Sequence, residues 1–299
     1  MATQIGIAQA ELVVSDWANN RVKQFLPETN LPDQSTTVPL GPLGVAVAAD
    51  GSRFVISQNG TLWRFNAGGV VTHTMATGLG DTRNVTIGPD GHVYVASHNT
   101  NQVLRFNGTT YAPMGAFLTG LNGPVGLNFG PDGNLYVTET NFGSTGRLLR
   151  FDGTTGVPKG PFGNINLRWA SSPVWDAFGN LYLTERNGNT LLKLDGTSGA
   201  LIQTLATGGI LNGPEYLAVS PGGTIYVSAI FHNSVQKYDS QTGAFLGYAI
   251  APNAGLSYPH GVALTNQVVA GNQISGNSQH GIQINGTGTT NSVVAGNLI

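Results

Sequence analysis

One short pattern recurs along most of the chain at intervals of about 44 residues. In its clearest copy, Leu121–Asp152, three short apolar runs are separated by a Pro-Asp-Gly turn and a polar loop. The runs consist mainly of Val, Leu, Tyr, Phe and Thr, which favour β-strands, whereas Pro-Asp-Gly favours a tight turn. The second run carries a tyrosine at intervals of 42, 46 and 44 residues: Tyr94, Tyr136, Tyr182 and Tyr226. A four-strand unit at this period predicts the blade of a β-propeller.

The two ends of the repeat region each hold part of one blade. Glu11–Leu26 supplies a second and a third strand without a first, and Tyr258–Thr265 supplies a first strand without a second. Joined, the two segments complete a blade and remove the free edge that an open sheet would leave. The sequence therefore predicts an all-β fold, a six-bladed propeller over residues 1–265 that is closed by a split N- and C-terminal blade.

A different repeat occupies residues 266–299. The segment NQVVAGNQI recurs 25 residues later as NSVVAGNLI. Short β-runs with Gly-Asn corners resemble the coils of a right-handed parallel β-helix, as in large bacterial surface proteins. Since about three coils are needed to bury a core, we interpret this segment as part of a larger second domain. The alternative is that its strands lie on the propeller as extra edge strands.

Charge and hydropathy limit the partners of the chain. Only 9% of the residues are charged, the net charge is −2 and no run of Lys or Arg occurs, so a nucleic-acid or anionic-membrane surface is not expected. No apolar run approaches the roughly 20 residues of a membrane-spanning helix. The first residues lack the basic and apolar regions of a signal peptide. The resemblance of residues 266–299 to repeats of large bacterial surface proteins nevertheless leads us to expect a monomeric unit of a larger exported protein, placed outside the cell or at the cell surface.

The motifs of the repeat resemble known families. ELVVSDWANNRVKQF, residues 11–25, resembles an NHL repeat, in which an apolar run is followed by Asp, Asn-x-Arg-Val and a closing Phe. NLYVTE and NLYLTE, which end at Glu139 and Glu185, resemble repeats of the streptogramin lyases. The resemblance covers about residues 11–265 and implies a propeller. Propellers of this kind include enzymes and binding modules, so the resemblance alone does not define a function.

Two rings of side chains are predicted to converge on one mouth of the central channel. The loop before each first strand, the leading loop, and the loop between the second and third strands, the connecting loop, should open on the same face. One ring stands at the start of the first strands and consists, in blade order, of His260, Leu43, Arg83, Val125, Ser171 and Glu215. The other ends the second strands and consists of Asp16, Ser57, Ser97, Glu139, Glu185 and Ala229. Such mouths commonly bind ligands.

Glu215, His260 and Arg83 are the candidate catalytic residues. Glu215 and His260 occupy equivalent positions in neighbouring blades, where they could act as a general base or bind a metal, or form a hydrogen-bonded pair at the seam. The Pro-His setting of His260 resembles the metal-binding histidines of the peptidyl-hydroxyglycine amidating lyases. Arg83 could bind a carboxylate or polarise a carbonyl, or it could pair with a nearby acid.

A divalent cation, Ca²⁺, Mg²⁺ or Zn²⁺, is the cofactor that these residue types suit, with Asp16, Glu139, Glu185 and His260 as ligands. The alternative is that each acid accepts backbone N–H bonds and fixes a loop. No motif for an organic cofactor is found. Aromatic or imidazole side chains that could line the rim of the mouth are Trp17, Trp169, Tyr111, Phe142, His98 and His232.

Two functions are compatible with these features. The first is a ligand- or partner-binding module of a larger exported protein, with a small molecule, a glycan or a protein bound at the channel mouth. The second is a metal-dependent lyase or lactone hydrolase of the streptogramin-lyase type, with Glu215 and His260 in its active site. The first is preferred, because no group of residues is complete enough to specify a reaction.

Overall fold

The computed structural model describes residues 11–25, 32–38, 40–76, 78–141 and 145–265. The predicted β-helix segment 266–299 lies outside these residues, as does Phe142. Within the described ranges, 24 strands form six four-stranded antiparallel sheets. The chain is thus a six-bladed β-propeller, as the repeat predicts. The part of the chain that the structure describes contains no helix long and apolar enough to cross a membrane.

In blades 1 to 3, the strands alternate with the turns that the sequence predicts. Blade 1 contains β1 (Leu12–Asp16), β2 (Arg21–Phe25), β3 (Pro32–Thr37) and the last described strand, β24 (Pro259–Leu264). Blade 2 contains β4 (Pro42–Val47), β5 (Arg53–Ser57), β6 (Leu62–Phe65) and β7 (Val71–Ala76). Blade 3 contains β8 (Thr82–Ile87), β9 (Val93–Ser97), β10 (Gln102–Phe106) and β11 (Pro113–Leu118).

Blades 4 to 6 follow the same order. Blade 4 contains β12 (Pro124–Phe129), β13 (Leu135–Glu139), β14 (Arg147–Phe151) and β15 (Pro158–Pro161). Blade 5 contains β16 (Val174–Trp175), β17 (Asn180–Glu185), β18 (Thr190–Asp195) and β19 (Leu201–Thr207). Blade 6 contains β20 (Pro214–Val219), β21 (Thr224–Ala229), a short 3₁₀ helix (Ile230–His232), β22 (Ser234–Asp239) and β23 (Phe245–Ile250).

The split blade closes the ring. In the first sheet the strand order is β24-β1-β2-β3, with Leu12 opposite Leu264 and Val14 opposite Val262. The C-terminal strand therefore becomes the innermost strand of the N-terminal blade. Residues of the innermost and second strands of neighbouring blades are buried against each other, and the described core consists of six apolar clusters, each between two adjacent blades. Pairing strands from both ends of the described propeller in one sheet removes an edge that would otherwise be open.

Tyr216 divides the central channel into two parts. Its side chain leaves β20 of blade 6, and its hydroxyl donates a hydrogen bond of 2.9 Å to the carbonyl of Arg83 in β8 of blade 3. Smaller residues occupy this strand position in the other blades, namely Gly44, Asn84, Gly126, Ser172 and Gly261. At Gly126 a Cβ would lie 2.4 Å from the backbone nitrogen of Ser172, so glycine is required there. Beyond Tyr216 the channel continues as a cavity of about 390 Å³ without charged lining residues.

Candidate functional site

Hydrogen bonds fix the two loops of every blade beside each other at the channel mouth. The residue after each second strand donates its N–H to the carbonyl of the residue two positions before the first-strand ring. This bond occurs in all six blades, at 2.8–3.2 Å, in the pairs Trp17–Tyr258, Gln58–Gly41, His98–Asp81, Thr140–Gly123, Arg186–Trp169 and Ile230–Gly213. Side chains from both loops therefore surround the same opening.

Three of the four predicted acids hold the leading loop of their own blade. The Oδ1 of Asp16 accepts the N–H of Ser257 at 2.7 Å. The Oε1 of Glu139 accepts the N–H of Asn122 at 2.7 Å, and that of Glu185 accepts the N–H of Arg168 at 2.8 Å. In each blade the donor lies three residues before the first-strand ring. The loop-fixing alternative from the sequence therefore describes the hydrogen bonds of Asp16, Glu139 and Glu185.

The second oxygen of each acid is also engaged. Asp16, which is fully buried, forms an ion pair of 2.8 Å with Lys23. Glu139 accepts a 3.0 Å bond from the Nε of Arg147, and Glu185 accepts a 2.6 Å bond from the hydroxyl of Thr190. Among the described residues, no three His, Asp or Glu side chains are placed to share a metal ion. The acids bond within their own blades, and a metal-binding role for Asp16, Glu139, Glu185 and His260 stays a prediction.

Glu215 and His260 are neighbours, as their equivalent positions in adjacent blades predict. The Nδ1 of His260 lies 3.6 Å from Oε1 of Glu215, and the Nε of Arg186 lies 3.5 Å from Oε2. The side chain of His260 is only 8% exposed and that of Glu215 only 3%. Neither His260 Nδ1 nor Glu215 Oε2 has a hydrogen-bond partner within the described residues. Buried polar atoms without hydrogen bonds are costly, and each of these two atoms has only an ion-pair contact, at 3.6 Å for His260 Nδ1 and 3.5 Å for Glu215 Oε2.

Glu215 is negatively charged at neutral pH. Burial favours its neutral form and raises the pKa. The contact with His260 at 3.6 Å, together with the charges of Arg186 and Arg83, acts in the opposite direction and leaves the pKa of Glu215 below its ordinary value. An anionic carboxylate thus lies deep in the mouth beside an imidazole and two guanidinium groups.

Two arginines lie within cation–π distance of Trp169. The guanidinium carbons of Arg83 and Arg186 are 5.4 and 5.8 Å from the centre of its ring. Arg83 also pairs with Asp81 at 2.5 Å. The Nε1 of Trp169 and the Nε of Arg83 are buried, and neither has a hydrogen-bond partner in the described ranges. Cation–π contacts hold the indole in place while these donors stay available.

His98 completes this side of the mouth. Its ring centre lies 5.6 Å from that of Trp169, in an edge-to-face arrangement. Burial, and then the nearby charge of Arg83, lower the pKa of His98, although Asp81 opposes the shift. The imidazole is therefore neutral at pH 7 and does not add to the charge of the two arginines.

Two aromatic residues occupy backbone positions that the repeat gives to glycine. The position in question lies two residues before the first-strand ring of each blade. In three blades it is a glycine, Gly41, Gly123 or Gly213, with φ of 42°, 64° and 63° respectively. Trp169 and Tyr258 stand at the same position with φ of 59° and 53°. A side chain in this left-handed region costs on the order of 1–3 kcal/mol, and such strain is concentrated at functional sites.

The other expected rim residues differ in position. Trp17 lies at the mouth, 6.3 Å from the ring of His260 and 6.0 Å from that of Tyr258. Tyr111 instead packs against His73 at 4.5 Å, on the outer strand of blade 2. His232 is half-buried in the 3₁₀ helix of blade 6. The sequence interpretation missed Arg186 and Phe231. Arg186 directly follows its second strand, as Trp17 and His98 do, and Phe231 follows one residue later, after Ile230.

The fold and this mouth define a six-bladed β-propeller with a charged, aromatic opening. No protein-family model and no curated protein matches the chain. Among solved structures, a chain of the nidogen/laminin complex is similar, with a TM-score of 0.69 and 17% identity over 86% of this chain and 98% of that one. A protein of unknown function from Bacteroides caccae has a TM-score of 0.69 and 13% identity, and the match covers 87% of this chain and 100% of that one. Virginiamycin B lyase from Staphylococcus aureus has a TM-score of 0.58 and 18% identity, and the match covers 75% of this chain and 77% of that one. At such identities the likeness shows the fold.

Proposed function

We propose that the chain is a ligand-binding module whose binding site is the channel mouth. The mouth site consists of Glu215, His260, Arg83, Arg186 and Trp169. The observation that carries the proposal is the pair Glu215 and His260, which are almost completely buried and retain polar atoms without hydrogen-bond partners among the described residues. A ligand with hydroxyl or carbonyl groups would satisfy these atoms and those of Arg83 and Trp169.

The strain at Trp169 supports the same proposal. Glycine would fit its backbone without cost, yet the chain places a large ring there, against two arginines. Stability alone does not favour this arrangement, whereas a ring that contacts a ligand would explain it.

We further propose that the module belongs to an exported protein and acts outside the cell. The fold shared with a chain of the nidogen/laminin complex supports a binding role.

The proposal is tested by replacing Trp169 with the glycine of the repeat. A library of small polar compounds and glycans is screened against the wild type by thermal shift, and each hit is repeated with Trp169→Gly and His260→Ala. We expect Trp169→Gly to keep a melting temperature near that of the wild type, because relief of strain offsets lost contacts. The hits should nevertheless lose their effect in both variants. Hits that remain equally effective in both variants would place binding elsewhere.

A second function is favoured by the contact between Glu215 and His260. A carboxylate beside an imidazole can orient a general base, and Arg83 and Arg186 could stabilise a developing negative charge. The shared fold with virginiamycin B lyase, of which an inactive form was solved with quinupristin, makes a cyclic depsipeptide a reasonable substrate to test. Quinupristin is incubated with the chain and Mg²⁺ and examined by mass spectrometry. A lyase would open the ring without a change of mass, whereas a hydrolase would add one water. Activity that survives His260→Ala would contradict this assignment.

A further inference from the structure

Aromatic side chains form a continuous arc along one side of the mouth. We define the aromatic arc as Trp17, Tyr258, Phe231 and Trp169. Tyr258 lies 6.0 Å from Trp17 and 5.9 Å from Phe231, measured between ring centres. Arg186 joins Phe231 to Trp169, since its guanidinium carbon lies 5.7 Å from the ring centre of Phe231 and 5.8 Å from that of Trp169. Tyr258 and Phe231 are 40% and 49% exposed, so their faces are accessible.

An uncharged pocket lies at the Trp17 end of this arc. It encloses about 410 Å³ and is lined by Trp17, Ala18, Asn20, Leu40, Gly41, Gln58 and Asn59. The indole N–H of Trp17 donates to the side-chain oxygen of Gln58 at 3.2 Å. A Cβ on Gly41 would lie 2.5 Å from that nitrogen, so the indole can occupy this position only over a glycine. An indole face beside amide side chains offers an apolar surface and hydrogen bonds to an uncharged polar ring.

We infer that the aromatic arc binds a neutral oligosaccharide, with one sugar ring on Trp169 above Glu215 and His260 and another on Trp17. This inference rests on the proposed function, because it names the ligand class of the same mouth. The charges favour a neutral ligand, since Arg83 pairs with Asp81 and Arg186 lies against Glu215. Paired carboxylate and guanidinium groups can exchange hydrogen bonds with hydroxyls, whereas an anionic sugar would meet the charge of Glu215.

The arrangement of contacts favours a ligand with more than one sugar ring. Between the two indoles lie the imidazole of His260, the carboxylate of Glu215 and the guanidinium of Arg186, each in contact with the next. With three side chains between the two indoles, we expect a single sugar ring to contact one indole only. Two aromatic surfaces joined by polar groups fit a chain of sugars, whose apolar ring faces alternate with hydroxyls. A gain in affinity with chain length is the consequence that distinguishes this ligand from a single small molecule.

The test measures affinity as a function of chain length by calorimetry. The probes are glucose, xylose, mannose and N-acetylglucosamine, their linear tetrasaccharides, and a tetrasaccharide of galacturonic acid. We expect at least one neutral tetrasaccharide to bind about tenfold more tightly than its monosaccharide, since a second aromatic contact contributes about that factor. Trp17→Ala should reduce tetrasaccharide affinity about tenfold and leave the monosaccharide unchanged, while Trp17→Phe retains most of the gain. Phe178→Ala removes a ring that is 77% exposed and should have no effect.

The outcomes separate this inference from the proposed function. Equal affinities for monosaccharide and tetrasaccharide, an unchanged tetrasaccharide affinity in Trp17→Ala, or tighter binding of the galacturonic acid chain would each overturn the inference. In those cases loss of binding in Trp169→Gly would still support a ligand site at the mouth. If no saccharide binds the wild type, the inference is wrong, and the non-saccharide compounds of the thermal-shift library decide the proposed function. Circular dichroism confirms that each variant is folded.

Discussion

Two kinds of carboxylate stand at the mouth of this propeller. Asp16, Glu139 and Glu185 end second strands, and each accepts the N–H of a residue in the leading loop of its own blade. Glu215 begins a first strand, and it faces His260 of blade 1 and Arg186 of blade 5 instead. The first group binds backbone, whereas Glu215 meets side chains from two other blades.

The difference follows from position in the repeat rather than from residue type. A side chain at the end of a second strand lies beside the loop that its own blade folds back over it, so its oxygens are used locally. A side chain at the start of a first strand lies nearest the axis, where neighbouring blades converge. An acid at the end of a second strand therefore stabilises its own blade, whereas one at the start of a first strand contacts neighbouring blades, where we propose that a ligand binds.

The largest effect is expected for Asp16→Asn. Asp16 is fully buried and its ion-pair partner Lys23 is only 7% exposed, so the variant leaves a buried, uncompensated ammonium group. We expect a loss of about 3–5 kcal/mol in the free energy of unfolding and a fall of about 10 °C in melting temperature. Urea unfolding and calorimetry measure both. Because Asp16 also holds Ser257 in front of the closing strand, the loss affects the seam of the ring.

A double variant serves as the control for this prediction. Lys23→Met removes the buried charge, so Asp16→Asn combined with Lys23→Met should be more stable than Asp16→Asn alone. Equal stability of the single and double variants would show that the ion pair is not the source of the loss. A melting temperature of Asp16→Asn within 2 °C, on the order of a single kcal/mol, would contradict the structural role of Asp16.

A smaller effect is expected for Glu139→Gln and Glu185→Gln. The amide oxygen can still accept the N–H of Asn122 or Arg168, but the bond is no longer assisted by charge, which costs about 1–2 kcal/mol. Arg147 is 56% exposed, so its pair with Glu139 adds little. Hydrogen exchange should accelerate at the amides of Asn122 and Arg168 and not at the other blades. Ligand affinity should be unchanged, and a large loss of affinity would instead make these acids part of the binding site.

The sequence predicts the propeller because each blade repeats a local pattern. Turn residues and strand tyrosines recur at one period, and the incomplete segments at Glu11–Leu26 and Tyr258–Thr265 complement each other, so no long-range information is needed. Even the repeated tyrosines have a local reason: the hydroxyls of Tyr94 and Tyr136 donate at 2.7 and 2.9 Å to the aspartates of the turns before them.

The site is less predictable, because it depends on contacts between blades. Arg186 follows a second strand at a position that has no common residue type in the repeat, so no pattern marks it. The choice between metal ligand and loop contact for Glu139 could not be made without the direction of its side chain. One signal was present in the sequence: Trp169 and Tyr258 replace the glycine of the repeat, and that departure coincides with the mouth.

A still smaller stability effect is expected for Glu215→Gln at neutral pH, within about 1 kcal/mol, since removing a buried charge also removes its desolvation cost. The pKa of Glu215 is lowered in the folded state, so its stabilising contribution is present above the ordinary value of 4.5 and is lost as the pH falls through the folded-state value. The stability difference between wild type and variant should therefore diminish below pH 4.5. A difference that is constant from pH 7 to pH 3 would contradict the ion pairs with His260 and Arg186.

The smallest effect is expected from divalent cations. If Asp16, Glu139, Glu185 and His260 shared an ion, millimolar Ca²⁺, Mg²⁺ or Zn²⁺ would raise the melting temperature by mass action. Asp16, Glu139 and Glu185 use both oxygens within their own blades, and the described residues contain no group of three ligands. We therefore expect calorimetry scans with each cation to superimpose on those of the chelated protein.

A shift that disappears in Glu215→Gln or His260→Ala, but persists in Glu139→Gln, would assign the ion to the mouth site and favour the metal-dependent lyase. A shift that disappears only in Glu139→Gln or Glu185→Gln would mean that the second-strand acids bind metal as well as backbone.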